Sequence, residues 1–314
     1  MTRILVTGGF GYVGGRSLRV LRDDPALRLT VATRRAVTAP EGLEVRRVNW
    51  REAGEVAALC QGIDTVIHLT TMAEPGCDKD PEGALLDNGL ATLRLLEAAV
   101  AGGVRRFVYV STSKVFGAGL AGRIDEASVP RPLNHYAITH RLAEDYVLAS
   151  HAKGRIEGAV LRLSNGMGAP ADPGVDAWTL ISNDLCRQAA TKGTITLQSS
   201  GLAWRNFIAM ADVVGALRHV LALPKERLQD GLFHVGGPAS LRILDLAHTI
   251  AARAQAVLGA AVTVTRPEPA PGENHPPLDW RTDKLAATGW SPATGLETEI
   301  DATLGYCRSW FGKA

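Results

Sequence analysis

The sequence lacks the features that mark membrane proteins and nucleic-acid-binding proteins. No stretch approaches the roughly 18 consecutive apolar residues of a transmembrane helix, and no charged-then-apolar signal segment precedes the first predicted strand. The formal net charge is +2 over 314 residues, so the chain has no excess of basic residues to attract nucleic acid. We therefore expect a cytoplasmic protein that binds neither membranes nor nucleic acids.

Cysteine is also scarce. Cys60, Cys77, Cys186 and Cys307 lie far apart, and none forms a CxxC pair. This spacing is typical of reduced thiols packed in a core, and it favours neither a disulfide framework nor a zinc site. The histidines show no ligand spacing, and His68, inside an apolar strand, is interpreted as a satisfied core residue. We predict no metal site.

Glycine, in contrast, is concentrated at the start of the chain. A short apolar run, Ile4 to Val6, is typical of a buried parallel strand, and it leads directly into Gly8, Gly11 and Gly14. Glycines at these positions allow a tight turn, let the backbone approach a pyrophosphate, and let the next helix pack closely on the strand. A purely structural glycine turn is the alternative. The strand before and the helix after favour a dinucleotide site.

Strands and helices continue to alternate after this turn. The apolar patterns predict strands at residues 28–33, 44–48, 64–69 and 106–111, and a long helix at 85–100. Hydroxyl-bearing residues follow the strand at 106–111, at the end of a buried strand where open α/β sheets bind ligands. The alternation predicts an α/β fold with a doubly wound parallel sheet of the Rossmann type.

The second predicted strand ends in Arg34-Arg35 and carries no acidic residue. In dinucleotide-binding folds this position selects the cofactor, since an acid binds the ribose hydroxyls of NAD and an arginine accommodates the 2′-phosphate of NADP. A solvated pair of surface arginines is the alternative. We predict NADP as the cofactor, with NAD possible.

Several motifs together resemble one protein family, the extended short-chain dehydrogenase/reductases, and most closely its sugar-nucleotide epimerase/dehydratase branch. The motifs that carry the resemblance lie at residues 7–14, 64–69, 111–117, 136–139, 161–168, 205–213 and 233–237. The resemblance implies a Rossmann domain over 1–165, to which 205–235 returns, and a smaller C-terminal substrate-binding lobe over 166–314. It also implies a homodimer formed through the helices near 85–100 and 136–150.

The resemblance further implies the roles of individual residues. Tyr136 is expected to exchange a proton with a substrate oxygen that Thr112 also contacts, with Ser113 as a catalytic neighbour. Asn165 is expected to contact the substrate diphosphate and Arg205 to bind its nucleotide, although an interface ion pair is an alternative for Arg205. The expected cofactor-binding residues are Gly8, Phe10, Gly11, Tyr12, Val13, Gly14, Arg34, Leu69, Thr70, Asn88, Tyr136 and His140. A helix-surface amide is the alternative for Asn88.

The sequence departs from the family pattern at His140, where family members carry a lysine that lowers the pKa of the tyrosine. Histidine has an unperturbed pKa of about 6.5 and is mostly neutral at pH 7, so it favours the phenolate much less. Lys114 is a conceivable substitute cation. Ser113 and Lys114 also replace the Asp-Glu pair of the family's 4,6-dehydratases, so dehydration by that route is not expected. At residues 273–275 a commonly found arginine is missing.

These observations leave three hypotheses for the function. The first is an NAD(P)-dependent oxidoreductase or epimerase of a nucleotide-activated sugar, with a 4-keto-sugar reductase favoured by Arg34. The second, motivated by His140, is a catalytically weakened dinucleotide-binding sensor or interaction protein. The third keeps the chemistry but acts on a carbonyl compound without a nucleotide, because the arginine near His275 is absent.

Overall fold

The computed structural model of the chain describes residues 1–312. The strands are β1 (Thr2–Thr7), β2 (Leu27–Thr33), β3 (Glu44–Arg47), β4 (Thr65–His68), β5 (Arg106–Thr112), β6 (Gly122–Ile124), β7 (Glu157–Leu163), β8 (Asn165–Met167), β9 (Thr194–Thr196), β10 (Trp204–Ala209), β11 (Leu232–Val235), β12 (Ser240–Arg242), β13 (Thr263–Thr265) and β14 (Leu278–Trp280). The α-helices are α1 (Tyr12–Leu21), α2 (Ala53–Leu59), α3 (Glu74–Lys79), α4 (Pro81–Ala84), α5 (Ala91–Ala101), α6 (His135–Ala152), α7 (Ile181–Lys192), α8 (Met210–Ala222), α9 (Ile243–Leu258), α10 (Asp283–Ala286) and α11 (Leu296–Phe311).

Seven strands form one large sheet in the order β3-β2-β1-β4-β5-β7-β11. The neighbouring pairs from β3 through β7 are all parallel. Because β1 pairs with β2 on one side and β4 on the other, the strand order reverses at β1, and the loops after β1 and β4 meet where such sheets bind ligands. The predicted doubly wound α/β sheet of the Rossmann type is confirmed.

The central strands are buried along most of their length because helices cover the sheet. In β5 every residue from Arg106 to Ser111 is buried, and residues 107–110 form the continuous apolar run expected of a strand that is covered on both faces. One core cluster joins β5 to the sheet-facing sides of α5 and α6 through residues such as Tyr109, Leu95 and Val147. The sheet therefore provides a rigid base for the residues at its carboxyl edge.

The chain divides into two compact units. The first contains residues 1–118, 128–163 and 217–234, and it carries the large sheet. The second contains 119–127, 164–216 and the chain from Val235 onward. Its core packs α7, α9 and α11 around residues such as Cys186, Ile250 and Leu304. The segment 205–235, expected in the first domain, is divided, since 205–216 groups with the second unit.

The predicted helix at 85–100 differs from the observed structure. Residues Leu85–Leu90 form a π-helix, and the α-helix α5 begins only at Ala91. Two residues of this π-helix are closely packed. Asn88 is buried, and a Cβ on Gly89 would lie 2.8 Å from the side chain of Leu142. Single π turns of this kind occur often at functional sites.

The cysteines lie in the interior of the protein. Each of the four is free and buried, as the sequence predicted. Within residues 1–312, no helix is both long enough and apolar enough to cross a lipid bilayer.

Candidate active site

The first part of the site is the turn between β1 and α1. Gly8 has a positive φ of 68°, and a Cβ there would lie 2.8 Å from the backbone of Leu69. A Cβ on Gly14 would lie 2.2 Å from the carbonyl oxygen of Gly8. Larger residues would therefore push the turn apart. Gly11 is the N-cap of α1 and supplies no side-chain cap, and no acidic residue lies in the first helical turn.

The adjoining part of the site is the loop after β4. The hydroxyl of Thr7 accepts hydrogen bonds from the amides of Leu69 and Thr70 at 3.1 and 3.3 Å, so its proton is donated to Nδ1 of His68, 2.7 Å away. Nε2 of His68 then donates to the hydroxyl of Thr92 at 2.9 Å. His68 is a fully bonded core residue, as the sequence indicated, and it orients the Thr7 hydroxyl that holds Leu69 and Thr70 beside the glycine turn.

A cavity of about 500 Å³ lies where β2 and β3 end, and it is lined by Arg34, Arg47, Val48, Asn49 and Glu55. Arg34 is half-exposed, and its guanidinium is 2.5 Å from a carboxylate oxygen of Asp87 in the π-helix. Glu55 accepts a hydrogen bond from the backbone amide of Asn49 at 2.8 Å. Two arginines and the carboxylate of Glu55 therefore line this cavity, and one of the arginines is paired with Asp87.

Tyr136 is the second residue of α6, and Thr112 ends β5. The Thr112 hydroxyl forms a hydrogen bond with the Tyr136 side chain. Burial raises the pKa of Tyr136, the Glu74 carboxylate and the Cys77 thiol raise it further, and only the Thr112 hydrogen bond lowers it. A tyrosine has an ordinary pKa of about 10, so the phenol keeps its proton at neutral pH, and this environment favours the phenolate still less. Ser113 begins the 3₁₀-helix Ser113–Phe116 beside Thr112.

His140 lies one turn after Tyr136 on the same helix, and the two ring centroids are 4.4 Å apart. Its Nδ1 is 2.6 Å from the hydroxyl of Tyr109, whereas its Nε2 is buried and has no hydrogen-bond partner in the described part of the chain. Burial, together with the neighbouring His68, lowers the pKa of His140 to about 3. At pH 7 the residue is therefore a neutral imidazole, and the fixed cation of the family's lysine is absent from this position.

Lys114 approaches Tyr136 but does not replace that cation. Its ammonium lies 5.8 Å from the centroid of the Tyr136 ring and forms an ion pair with Glu74. The other oxygen of Glu74 accepts a hydrogen bond at 2.6 Å from the side-chain amide of Asn134, the N-cap of α6. The positive charge of Lys114 is therefore compensated, while the negative charge of Glu74 raises the pKa of Tyr136.

Asn88 is almost completely buried, so the alternative of a helix-surface amide is wrong. Its side-chain oxygen accepts from the amide of Met72 at 2.6 Å, and its side-chain nitrogen donates to Thr139 at 3.1 Å and to the sulfur of Cys77 at 3.5 Å. These bonds tie the loop after β4 to α6. Asn88 thus positions the segments that carry Leu69, Thr70 and Tyr136.

The two expected substrate residues lie in the small sheet of the second unit, whose order is β12-β10-β8. The amide of Asn165 donates to the carbonyl oxygen of Asn206 at 2.9 Å. Nη1 of Arg205 donates to the carbonyl oxygen of Trp204 at 2.9 Å. Arg205 forms no ion pair within residues 1–312, which disfavours the alternative of an interface ion pair.

The sequence interpretation missed three residues of the candidate site. Tyr109 lies in the middle of an apolar strand and resembles a core aromatic, Glu74 lies in a segment without a motif, and Arg47 is one of several surface arginines. For Arg47 a signal was present, because it ends β3 opposite Thr33, the last residue of β2, and Arg34 follows Thr33 directly.

The first unit fits a nicotinamide dinucleotide in two respects. The glycine turn leaves no room for a Cβ at Gly8 or Gly14 and has an open helix N-terminus, which suits a pyrophosphate. At the other end, the unpartnered and buried Nε2 of His140 requires a hydrogen-bond partner that residues 1–312 do not supply. A ribose hydroxyl of the cofactor would satisfy it.

Comparison with known proteins gives the family directly. The model of the NAD dependent epimerase/dehydratase family matches residues 4–236. The chain belongs to this family. Among curated relatives, the UDP-glucose 4-epimerase of Azospirillum brasilense is 26% identical over 98% of this chain and 91% of its own. The dTDP-L-rhamnose 4-epimerase of Burkholderia thailandensis is 27% identical over 99% of this chain and 95% of its own.

A solved structure agrees with this assignment. The UDP-glucose 4-epimerase of Thermus thermophilus, crystallised with NAD, is 25% identical, has a TM-score of 0.80, and covers 98% of this chain and 100% of its own. These similarities confirm two predictions. The chain is an extended short-chain dehydrogenase/reductase, and it is an NAD(P)-dependent enzyme of that type.

Proposed function

We propose that the protein is an NADPH-dependent reductase of a nucleotide-activated keto sugar, with a 4-keto sugar as the favoured substrate. The observation that carries this proposal is the environment of Tyr136. The phenol is near a carboxylate, has a neutral imidazole in place of the usual lysine, and keeps its proton at neutral pH.

A protonated phenol suits the reduction of a ketone better than the oxidation of an alcohol. Reduction of a ketone requires an acid that gives a proton to the carbonyl oxygen, and a phenol that keeps its proton at neutral pH is in the protonation state that this step needs. Oxidation of a sugar alcohol, the first step of epimerisation through a keto intermediate, requires a base that removes the hydroxyl proton. That step would need the phenolate, which this site disfavours.

The proposed reduction gives each of these residues a role. When bound, the nicotinamide cofactor supplies the hydride. Thr112 donates a hydrogen bond that orients the carbonyl oxygen, and Tyr136 transfers its phenolic proton to the same oxygen as negative charge develops there. Ser113 lines the same edge. His140 holds a cofactor hydroxyl through Nε2 and adds no charge beside the phenol.

The preference for NADPH is supported by the cavity at the ends of β2 and β3. Arg34 and Arg47 line it, and arginine binds phosphate groups through paired, charge-assisted hydrogen bonds. Arg34 is also paired with Asp87, so a 2′-phosphate would compete with that carboxylate. NAD is the alternative cofactor, and the name of the family and the NAD complex of the Thermus protein favour it.

A nucleotide-activated substrate is supported by the names of the relatives, which act on UDP-glucose and dTDP-L-rhamnose. In this chain we assign the diphosphate to Asn165 and the nucleotide to Arg205, whose guanidinium uses only one of its donors within residues 1–312. The absence of an arginine near His275, which is instead bonded to Glu273 at 2.9 Å, leaves a carbonyl substrate without a nucleotide as the alternative.

The test is NADPH oxidation by the purified protein with a panel of nucleotide-activated 4-keto sugars. Tyr136→Phe is expected to lower the rate by a factor of about 10² to 10⁴, the usual contribution of a positioned acid. Tyr146→Phe, half-exposed on the same helix, is the matched control and should keep the full rate. Turnover that is unchanged in Tyr136→Phe would eliminate the proposed mechanism.

A second candidate, a dinucleotide-binding sensor, is favoured by the neutral His140 alone. It predicts calorimetric binding of NADPH or NADH and no turnover with any carbonyl substrate. Turnover with the 4-keto panel would exclude it.

We also propose that the protein is a homodimer. On α6, Ile138 and Tyr146 are 47% and 38% exposed, and their spacing of eight residues places them on one face. Burial of such a face against a second copy would remove this apolar area from water. Ile138→Glu should halve the mass measured by light scattering, whereas Leu133→Glu, also exposed but outside the helix, should not.

A further inference from the structure

We propose that Tyr109 is a positioning residue of the active site: its hydroxyl donates to Nδ1 of His140 and thereby holds the imidazole in the tautomer that carries its proton on Nε2. The buried face of helix α6 then presents a fixed, uncharged donor one turn after Tyr136. The role of this donor in catalysis rests on the proposed function, whereas the assignment of the tautomer rests on the contacts of Tyr109 and His140.

The assignment begins with the proton of Tyr109. The residue lies in the centre of β5 and is 1% exposed, so its hydroxyl cannot donate to bulk water. A buried hydroxyl donor needs an acceptor, and Nδ1 of His140 is the acceptor it meets within residues 1–312. The reverse arrangement, with Nδ1 carrying the proton, would leave both the phenolic proton and the Nε2 lone pair without a partner in the described chain, whereas the proposed one leaves only the Nε2 proton without one.

The distance supports the same direction. The two atoms are 2.6 Å apart, which is typical of an O–H donor and shorter than the usual range for an N–H donor. The imidazole is also neutral, because it is 2% exposed and the carboxylate nearest in sequence on α6, Glu144, is bonded to Ser111 and Arg162. A neutral imidazole that accepts at Nδ1 must carry its proton at Nε2.

The ring of Tyr109 is itself held in place. It lies between two histidines, with centroid distances of 5.7 Å to His68 and 5.7 Å to His140. His68 cannot rotate freely because Thr7 and Thr92 bond both of its ring nitrogens. Tyr109 therefore contacts the fixed ring of His68 on one side and the ring of His140 on the other. Nε2 of His140 has no hydrogen-bond partner in the part of the chain that the structure describes.

This arrangement gives a physical reason for a histidine at a position where the family has lysine. A lysine would supply charge and three freely rotating donors. The Tyr109–His140 pair supplies one donor in one direction and leaves the phenol of Tyr136 protonated, which is the state that ketone reduction requires. Tyr109 contributes by orienting His140 and has no contact of its own with a reacting atom.

The experiment is nitrogen-15 NMR of histidine-labelled protein without cofactor or substrate, with His140 assigned by the signal lost in His140→Asn. We expect Nε2 of His140 to be protonated and Nδ1 to show the shift of a strong hydrogen-bond acceptor. In Tyr109→Phe the Nδ1 shift should move to that of an unbonded nitrogen, while Tyr146→Phe should leave both nitrogens unchanged. A proton on Nδ1 in the wild-type protein would overturn the proposal, even if Tyr109→Phe does not fold.

A second readout links the tautomer to the cofactor. Calorimetric titration should show an NADPH affinity about 3- to 10-fold weaker in Tyr109→Phe, corresponding to the loss of one well-oriented hydrogen bond. Unchanged affinity together with an altered Nδ1 shift would contradict the positioning role. Because both measurements are made without substrate, a protein that satisfies them and yet reduces no keto sugar would refute the proposed function and leave the role of Tyr109 intact.

Discussion

The replacement His140→Lys should lower the pKa of Tyr136. The lysine would place an ammonium at a site where the imidazole now lies with its centroid 4.4 Å from that of the phenol. A unit charge about 5 Å from the phenolate, at an effective dielectric constant of about 20, stabilises it by roughly 3 kcal/mol, or about two pKa units. The variant should therefore form tyrosinate at lower pH and oxidise sugar alcohols faster.

Ultraviolet titration of tyrosinate measures this shift, and the difference between His140→Lys and the double variant His140→Lys/Tyr136→Phe isolates the signal of Tyr136. His140→Gln, which adds no charge, is the matched control and should leave the titration of Tyr136 where the wild-type protein has it. A Tyr136 pKa that does not fall in the lysine variant, while circular dichroism shows an intact fold, would refute the electrostatic account of this site.

Four other predictions rest on the described contacts. Arg34→Ala and Arg47→Ala should each weaken NADPH binding about tenfold in calorimetry without changing NADH binding, whereas Arg28→Ala, at the opposite end of β2, should change neither. Asn88→Ala should lower the free energy of unfolding in urea by roughly 1–3 kcal/mol, because it leaves the half-buried Met72 amide without its acceptor and removes the buried side-chain amide that also donates to Thr139. Glu144→Gln should cost roughly 3–5 kcal/mol in the same assay, since the buried guanidinium of Arg162 loses its counter-ion. Acidification should destabilise the fold between about pH 6.5 and 3, because burial lowers the pKa of both His68 and His140 to about 3, so the unfolded chain binds these protons first. His68→Asn should reduce, but not abolish, the measured dependence of stability on pH.

The parts of the structure that depend on neighbouring residues in the chain were predictable from the sequence. The turn from β1 to α1 is an example, because the strand, the glycines and the helix follow one another within about 20 residues and their geometry is local. The catalytic positions proposed for Thr112 and Tyr136 were identified because each belongs to a short motif. The departure at His140 was equally visible as a single changed residue.

The parts that depend on distant contacts were not predictable in this way. The partner of His140 is Tyr109, 31 residues earlier, and only the packing of α6 on β5 brings the two together. The ion pair of Lys114 with Glu74 spans 40 residues, so the sequence did not reveal that the charge of this lysine is compensated. The π-helix was missed because one widened turn changes the helical periodicity too little to be seen in apolar spacing.

The proposed function requires Tyr136 to give a proton to a ketone, for which bound NADPH would supply the hydride. The most direct test is incubation of the protein with a nucleotide-activated 4-keto sugar and NADPH deuterated at the transferable position, followed by mass spectrometry of the sugar. The account predicts one deuterium in each product molecule and one NADPH consumed for each. A sugar that is epimerised with no label and no loss of NADPH would contradict it.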